Sequence, residues 1–257
     1  RSRDRKHRNR HHAMGRRLYR GAVVDAAVGN VDHTWAFNFG GANEVERAYR
    51  ELKVERGVRP SAGELYRMRY LPSTLRERHE SWFGFVRSEG DLSEGEQRCM
   101  QQGEALLRGL ETTAMTRCFK MVTLEALIEQ EKLFTGMPLG ELAQRCHAIL
   151  ERSPELQTDV ADEPGFGNAA GAAWLAYWKK NPIDAWTGEK ADGRTWFRLD
   201  GDRFLLDLAL EPAEQVAMHG MVRELVDLRL AQYRSRRQPA AAEGFVTRVT
   251  WNQRDPI

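Results

Sequence analysis

The sequence predicts a mainly α-helical protein, and three observations support that prediction. Proline is scarce, at nine residues in 257, whereas the helix-favouring Leu, Ala, Glu and Arg are abundant. Apolar residues recur at helical spacing in several segments, of which 43–56 is one. Two Ser-x-x-Glu sequences, at Ser61 and Ser93, are typical of the capping boxes with which helices begin.

Length and composition limit the class of protein. Because 41% of the residues are apolar, the chain has enough material for one large or two small domains with a buried core. No stretch approaches the roughly 18 uninterrupted apolar residues of a membrane helix, and the basic N-terminal segment lacks the apolar region of a signal peptide. These features predict a cytoplasmic protein. Cys99, Cys118 and Cys146, odd in number and without a Cys-x-x-Cys, predict buried thiols and neither a disulfide framework nor a zinc site.

The charge is distributed unevenly. Residues 1–20 contain nine Arg or Lys and one Asp, a net of +8, which leaves −6 on the other 237 residues. Two interpretations stay open for this segment: an arm that binds phosphates, or a solvated terminus. We expect the chain, which begins within a charge run and without Met, to be part of a longer protein. In the first interpretation the phosphate contacts include Arg5, Lys6, Arg8, Arg10, Arg16 and Arg17.

We divide the chain into five segments. Residues 1–42 form the basic arm and a connecting segment, in which the apolar residues from Leu18 to Val28 predict a helix. Residues 43–92 form a small module of short helices, 93–113 a connecting helix, 114–237 a larger unit, and 238–257 a tail. The small module reads as a helix-turn-helix, whose third helix, Ser73 to His79, is exposed and basic. Its Arg76, Arg78 and His79 are the predicted contacts to a DNA groove.

The larger unit shows three helical segments, then a hairpin, then a long closing helix. The helices are predicted at 119–133, at 138–152 with Pro138 at the first helical position, and at 174–186. Asp200-Gly201-Asp202 closes the hairpin, and the last helix covers 212–237. This order predicts a winged-helix-like unit, a fold that usually sits on duplex nucleic acid. The predicted phosphate contacts of this unit are Lys179, Lys180, Arg194, Arg198 and Arg203.

Two further groups of residues in this unit allow two interpretations each. Trp174, Trp178 and Trp186 are suited to stacking on bases or to forming a core, and their helical spacing favours the core. The arginines that end the last helix suit both a helix C-terminus and a phosphate, and they are Arg234, Arg236 and Arg237.

A short resemblance covers the small module. The segments Tyr49-Arg50-Glu51-Leu52, Gly57-Val58-Arg59-Pro60-Ser61 and Ser81-Trp82 to Gly90 resemble the homing-endonuclease-associated repeat. In that repeat a Gly-Arg-x-Pro-Thr sequence leads into the second helix and a Gly-Ser-Trp sequence follows. Here Glu80 stands where the repeat has the Gly. The resemblance implies DNA binding by analogy.

A wider resemblance concerns the order of segments. The order of six segments is similar to that in the C-terminal regions of bacterial DEAD/DEAH-type helicases of restriction and phage defence. These segments are the basic opening, the small module, Phe119 to Val122, Leu139 to Ala143, Asn181-Pro182-Ile183 and Glu224 to Leu230. The chain has no Gly-x-x-x-x-Gly-Lys-Ser/Thr loop and no Asp-Glu-x-His box. The resemblance therefore implies that the ATP-driven motor lies upstream of Arg1 or in a partner.

No catalytic constellation stands out in the sequence. Glu51-Leu52-Lys53 has the form of a nuclease tripeptide, but it lies on a helical face and is read as a solvated surface. We predict no cofactor, no metal and no small-molecule substrate. The first hypothesis is a DNA-binding accessory region of a helicase-type defence protein. The alternative is a scaffold that docks the motor or another subunit.

Overall fold

The computed structural model describes residues 17–19, 22–24, 41–188 and 195–237, and in this part of the chain the protein is mainly helical with two small antiparallel sheets. Strands β1 (Arg17–Tyr19) and β2 (Ala22–Val24) pair with Leu18 opposite Val23. The prediction of a helix from Leu18 to Val28 is therefore wrong over these strands. The β-branched Val23 and Val24 favour the extended backbone found there.

The small module begins with α1 (Ala42–Arg56), which ends at Gly57 with φ +73°. Helix α2 (Ala62–Arg67) starts at the predicted capping box: Ser61 Oγ accepts from the Glu64 amide, and Glu64 accepts from the Ser61 amide. The helix predicted over Ser73–His79 is instead a 3₁₀ turn (Pro72–Leu75) followed by the single turn α3 (Arg76–His79). Helix α4 (Trp82–Ser88) completes the module.

Helix α5 (Glu94–Thr112) starts at the second predicted capping box, between Ser93 and Glu96. It is more than a connection, because Cys99, Leu106 and Leu110 are buried against other helices. Its largest contact is with the closing helix α11 (Pro212–Arg237), which also packs on α2 and α6. One cluster of buried apolar residues therefore extends from α1 to α11.

The larger unit contains α6 (Phe119–Glu129), β3 (Met137–Pro138), α7 (Leu139–Glu151), α8 (Pro154–Gln157), α9 (Ala172–Trp178), α10 (Asp184–Thr187), β4 (Phe197–Asp200) and β5 (Arg203–Leu206). The predicted hairpin is confirmed, with Asp200 opposite Arg203 and Gly201 at φ +61° in the turn. Pro138 is not the first helical residue as predicted: it ends β3, which pairs with β5 so that the strand order is β3-β5-β4. Proline suits that edge strand because it has no amide to donate.

The aromatic helix is interrupted between α9 and α10 by a π-helical segment, Lys179–Ile183. Pro182 lies inside it and lacks the amide that an α-helix needs at that position. Trp174, Trp178 and Trp186 are each at most 1% exposed, which confirms that they form core. Cys99, Cys118 and Cys146 are buried free thiols, as predicted. Among the described residues, no helix is both long and apolar enough to cross a membrane.

Candidate nucleic-acid interface

Two of the predicted groove contacts, Arg78 and His79, lie against Glu46 of the same module. Arg78 Nη1 lies 3.3 Å from Glu46 Oε1 and 2.5 Å from Asn43 Oδ1, and His79 Nε2 lies 3.4 Å from the same Glu46 oxygen. His79 Nδ1 is 3.1 Å from Ser88 Oγ. These contacts tie α3 to α1 and α4. The predicted helix over Ser73–His79 is thus a 3₁₀ turn followed by one α-turn, on which Arg78 and His79 are engaged internally.

Arg76 points toward the end of α5. Its Nε lies 3.9 Å from Glu111 Oε1 and donates to the Ser73 carbonyl oxygen at 3.3 Å. The Glu111 side chain is only 4% exposed, whereas that of Arg76 is 36% exposed. Arg76 is thus weakly paired and still reaches solvent.

The arginines of the hairpin are engaged with other groups of the protein, so less positive charge is free to contact phosphate than the sequence predicts. Arg198 Nε lies 3.0 Å from Asp207 Oδ1, and Arg198 Nη1 lies 3.5 Å from Asp200 Oδ2. Arg203 donates to the carbonyl oxygens of Thr135 and Gly136, at 3.4 and 2.8 Å. The hairpin arginines therefore brace the sheet, and Asp200 and Asp202 make the tip acidic. Arg194 lies outside the described residues.

Lys179 and Lys180 lie as predicted, exposed on the π-helical segment. Within the described part of the chain neither has an ion pair or a side-chain hydrogen bond. The solvent side of α9 next to them is formed by Ala172, Ala173 and Ala176, whose short side chains keep that surface flat. Two free cations at the end of a flat helix face are a suitable contact for phosphate groups.

The basic arm falls almost entirely outside the described residues. The predicted contacts outside the described residues are Arg5, Lys6, Arg8, Arg10 and Arg16. Arg17 is the first residue of β1. Their role as phosphate contacts stays a prediction.

The arginines that end α11 have different surroundings. Arg237 Nη2 lies 2.6 Å from Asp159 Oδ1, so it is paired with a buried carboxylate. The guanidinium of Arg236 lies 5.4 Å from the ring centroid of Tyr233 and, among the described residues, has no carboxylate within 4 Å. Arg229, which was not predicted as a contact, donates to Thr113 and Gln232 but has no carboxylate within 4 Å among the described residues. A spacing of seven residues places it on the same helical face as Arg236, and that spacing was the available signal.

A groove of about 460 Å³ runs between α6 and α11 and includes Ser61 at its end. Four carboxylates line it, from Glu125, Glu129, Glu224 and Asp227, against two arginines, Arg223 and Arg234. Three of these carboxylates pair with arginines outside the groove: Glu224 with Arg59, Asp227 with Arg67 and Glu129 with Arg152. Glu125 Oε2 is buried there and finds no hydrogen-bond partner within the described ranges.

No group of three or more His, Cys, Asp or Glu in the described ranges has the arrangement of a metal site. The chain matches no protein-family model, no curated protein and no solved structure.

Proposed function

We propose that this chain is a DNA-binding accessory region of a helicase-type protein of bacterial defence or restriction. In this proposal residues 114–237 form a winged helix that sits on a duplex. The motor lies in a partner or in another part of the same polypeptide. The resemblance to the C-terminal regions of DEAD/DEAH-type helicases supports the assignment to such a protein.

The observation that carries the proposal is the order of the strands. A winged helix has the order helix, strand, helix, helix, strand, strand, and its last strand lies between the other two. Elements α6, β3, α7, α9, β4 and β5 follow that order, and β5 lies between β3 and β4. The equivalent of the recognition helix is α9 with the π-helical segment after it.

The positions of the free cations also support α9 and the π-helical segment as the DNA-contacting face. Lys179 and Lys180 end this helix and have no partner in the described ranges. The alanines beside them allow a phosphate backbone to approach closely. Arg78, His79, Arg198 and Arg203 are left out of the proposed contacts because they are engaged internally. The basic arm stays a proposed second grip.

The internal pairing of so many cations also favours the alternative, a protein-docking scaffold. The hairpin tip is acidic, which repels phosphate. Val54 and Val58, on one side of the small module, are 85% and 66% exposed. A partner subunit that covers these valines fits the second function.

Duplex binding measured by fluorescence anisotropy across a salt series separates the two functions. A protein that neutralises phosphates loses affinity with a log–log slope of about −0.9 per phosphate. The double variant Lys179→Gln/Lys180→Gln should weaken binding and make that slope shallower by about 2. The matched control Arg47→Gln/Lys132→Gln removes two other exposed, unpaired cations of the described part and should leave binding within about twofold.

Absence of duplex binding by the wild-type chain would refute the DNA function and favour docking. Equal losses in the two double variants would show that binding depends on total charge and not on α9. In that case the proposed winged-helix face is wrong.

A further inference from the structure

The end of helix α5 is crossed by α11, and Arg229 of α11 is held at that crossing. Its Nη2 donates to the Thr113 carbonyl oxygen, and its Nη1 donates to Gln232 Oε1 at 3.2 Å. Its Nε is buried and has no hydrogen-bond partner among the residues that the structure describes. In the described part of the chain no carboxylate lies within 4 Å of this guanidinium. The contacts fix its position without neutralising its charge.

Two more arginines face Arg229. Arg236 lies two turns further along α11 on the same face. Arg76 reaches the same place from α3, because its Nε lies 3.9 Å from Glu111, two residues before Thr113. The pKa of Arg229 is lowered, first by burial and then by the positive charges of Arg236 and Arg76, against the opposing effect of Glu111. Arg76 and Arg236 therefore lie close enough to Arg229 for their charges to act on it.

The carboxylate within this cluster does not balance three positive charges. Glu111 Oε2 accepts the Trp82 amide at 2.9 Å, and Oε1 is 3.9 Å from Arg76. Burial raises the pKa of Glu111, although Arg76, Arg229 and Arg108 act in the opposite direction. Arg108 does not add a free cation, since it pairs with Glu80 at 2.8 Å. An excess of positive charge remains.

Capping of α5 accounts for only part of this arrangement. The bond from Arg229 to Thr113 satisfies a carbonyl at the helix C-terminus, where cations are favoured. It does not account for Arg236, which has no carboxylate near it in the described part, or for the weakly paired Arg76. Like charges repel, so three arginines held near one another with only Glu111 as an internal counter-ion point to an external anion.

We infer that Arg76, Arg229 and Arg236 form a phosphate site at the α5–α11 crossing, which takes one backbone phosphate of a nucleic acid. Guanidinium groups match the geometry of phosphate oxygens and form paired charge-assisted hydrogen bonds with them. The inference rests on the proposed function for the source of the phosphate. The site itself is built from residues other than Lys179 and Lys180.

The principal test variant is Arg76→Gln/Arg236→Gln, because neither side chain holds a helix end. Arg229→Gln is a second variant, and circular dichroism shows whether it remains folded. Arg223→Gln is the matched control: it lies on α11, is exposed, and has no partner among the described residues. Each protein is titrated with labelled duplex DNA and, separately, with inorganic phosphate against chloride at equal ionic strength.

The loss of charged hydrogen bonds to one phosphate should weaken duplex binding by about tenfold in Arg76→Gln/Arg236→Gln. The salt slope should become shallower by about 1. Inorganic phosphate should raise the thermal midpoint of the wild type and of Arg223→Gln, but not that of Arg76→Gln/Arg236→Gln. Equal duplex affinity and equal phosphate response in that variant and in Arg223→Gln would overturn the site.

The two assays separate this site from the proposed function. If the wild type binds phosphate through these arginines but binds no duplex, the phosphate site stands and the DNA function fails. If duplex binding is normal and insensitive to these variants, the DNA function stands and the site fails. If neither ligand binds the wild type, both are wrong.

Discussion

Replacement of Glu224 by alanine should destabilise the protein more than any surface change, because its carboxylate holds three elements together. Arg59 Nη1 donates to both of its oxygens, at 3.1 and 3.0 Å, the Ala62 amide donates at 2.9 Å, and Trp82 Nε1 donates at 2.6 Å. The side chain of Glu224 is 9% exposed and that of Arg59 is 19% exposed. Solvent therefore replaces little of what is lost.

The magnitude follows from the bonds that Glu224→Ala removes. Breaking a buried ion pair on one side costs about 3–5 kcal/mol. Arg59 keeps a second partner, Glu96, at 3.0 Å, which favours the low end of that range. Two donors left without an acceptor add about 1–3 kcal/mol each, and the effects overlap. We expect a loss of about 4 kcal/mol, which for a protein of this size lowers Tm by about 8–16 °C.

Urea denaturation followed by tryptophan fluorescence measures the change directly. Glu224→Gln, which keeps an acceptor but not the charge, should lie between Glu224→Ala and the wild type. The adjacent Arg223→Ala is exposed and unpaired within the described part, so it should stay within about 0.5 kcal/mol of the wild type. A loss below 1 kcal/mol in Glu224→Ala would refute the reasoning from burial and bonding.

Three further predictions concern glycine, capping and pH. A Cβ on Gly84 would lie 2.1 Å from the His79 carbonyl oxygen, so Gly84→Ala should lower the free energy of unfolding, measured by urea denaturation, by about 1–3 kcal/mol. The control Gly140→Ala, whose Cβ would meet no atom within 4 Å, should cause no loss of stability. Ser93→Ala removes a helix cap and should cost about 1 kcal/mol by the same measurement; an unchanged midpoint would contradict the role of the capping box. Burial raises the pKa of Glu125, so the folded protein binds the proton of this carboxyl more tightly than the unfolded chain does. Proton binding therefore stabilises the fold fully below the ordinary pKa of Glu, and this stabilisation is lost as pH rises through the raised pKa. The uncharged Glu125→Gln should match the wild type at pH 4 and be the more stable protein at pH 8; urea midpoints that change equally with pH in both would contradict this.

The predictions that hold are those whose cause lies within a few residues. A capping box needs only Ser61 and Glu64, and the hairpin turn needs only the positive φ available to Gly201. The burial of the tryptophans follows from their helical spacing. Local chemistry is sufficient in each case.

The predictions that fail depend on residues distant in sequence. Strand β3 has two residues, and its partner Phe204 lies 67 positions after Met137, so no local pattern marks it. An arginine that is free and one that is paired look alike in sequence. Glu46, which engages Arg78, lies 32 residues away, and only the packing of α3 on α1 brings the two together. For the same reason Arg76 and Arg229 could not be placed in one cluster.

Helix α11 has 26 residues, which corresponds to a rod about 39 Å long. Helices α2, α5, α6 and α8 all pack on it. None of these helices can separate from α11 without exposing buried residues of α11, such as Met218, Leu225 or Tyr233. A displacement of either end of α11 must therefore move the helices packed along it, so the two ends are mechanically coupled.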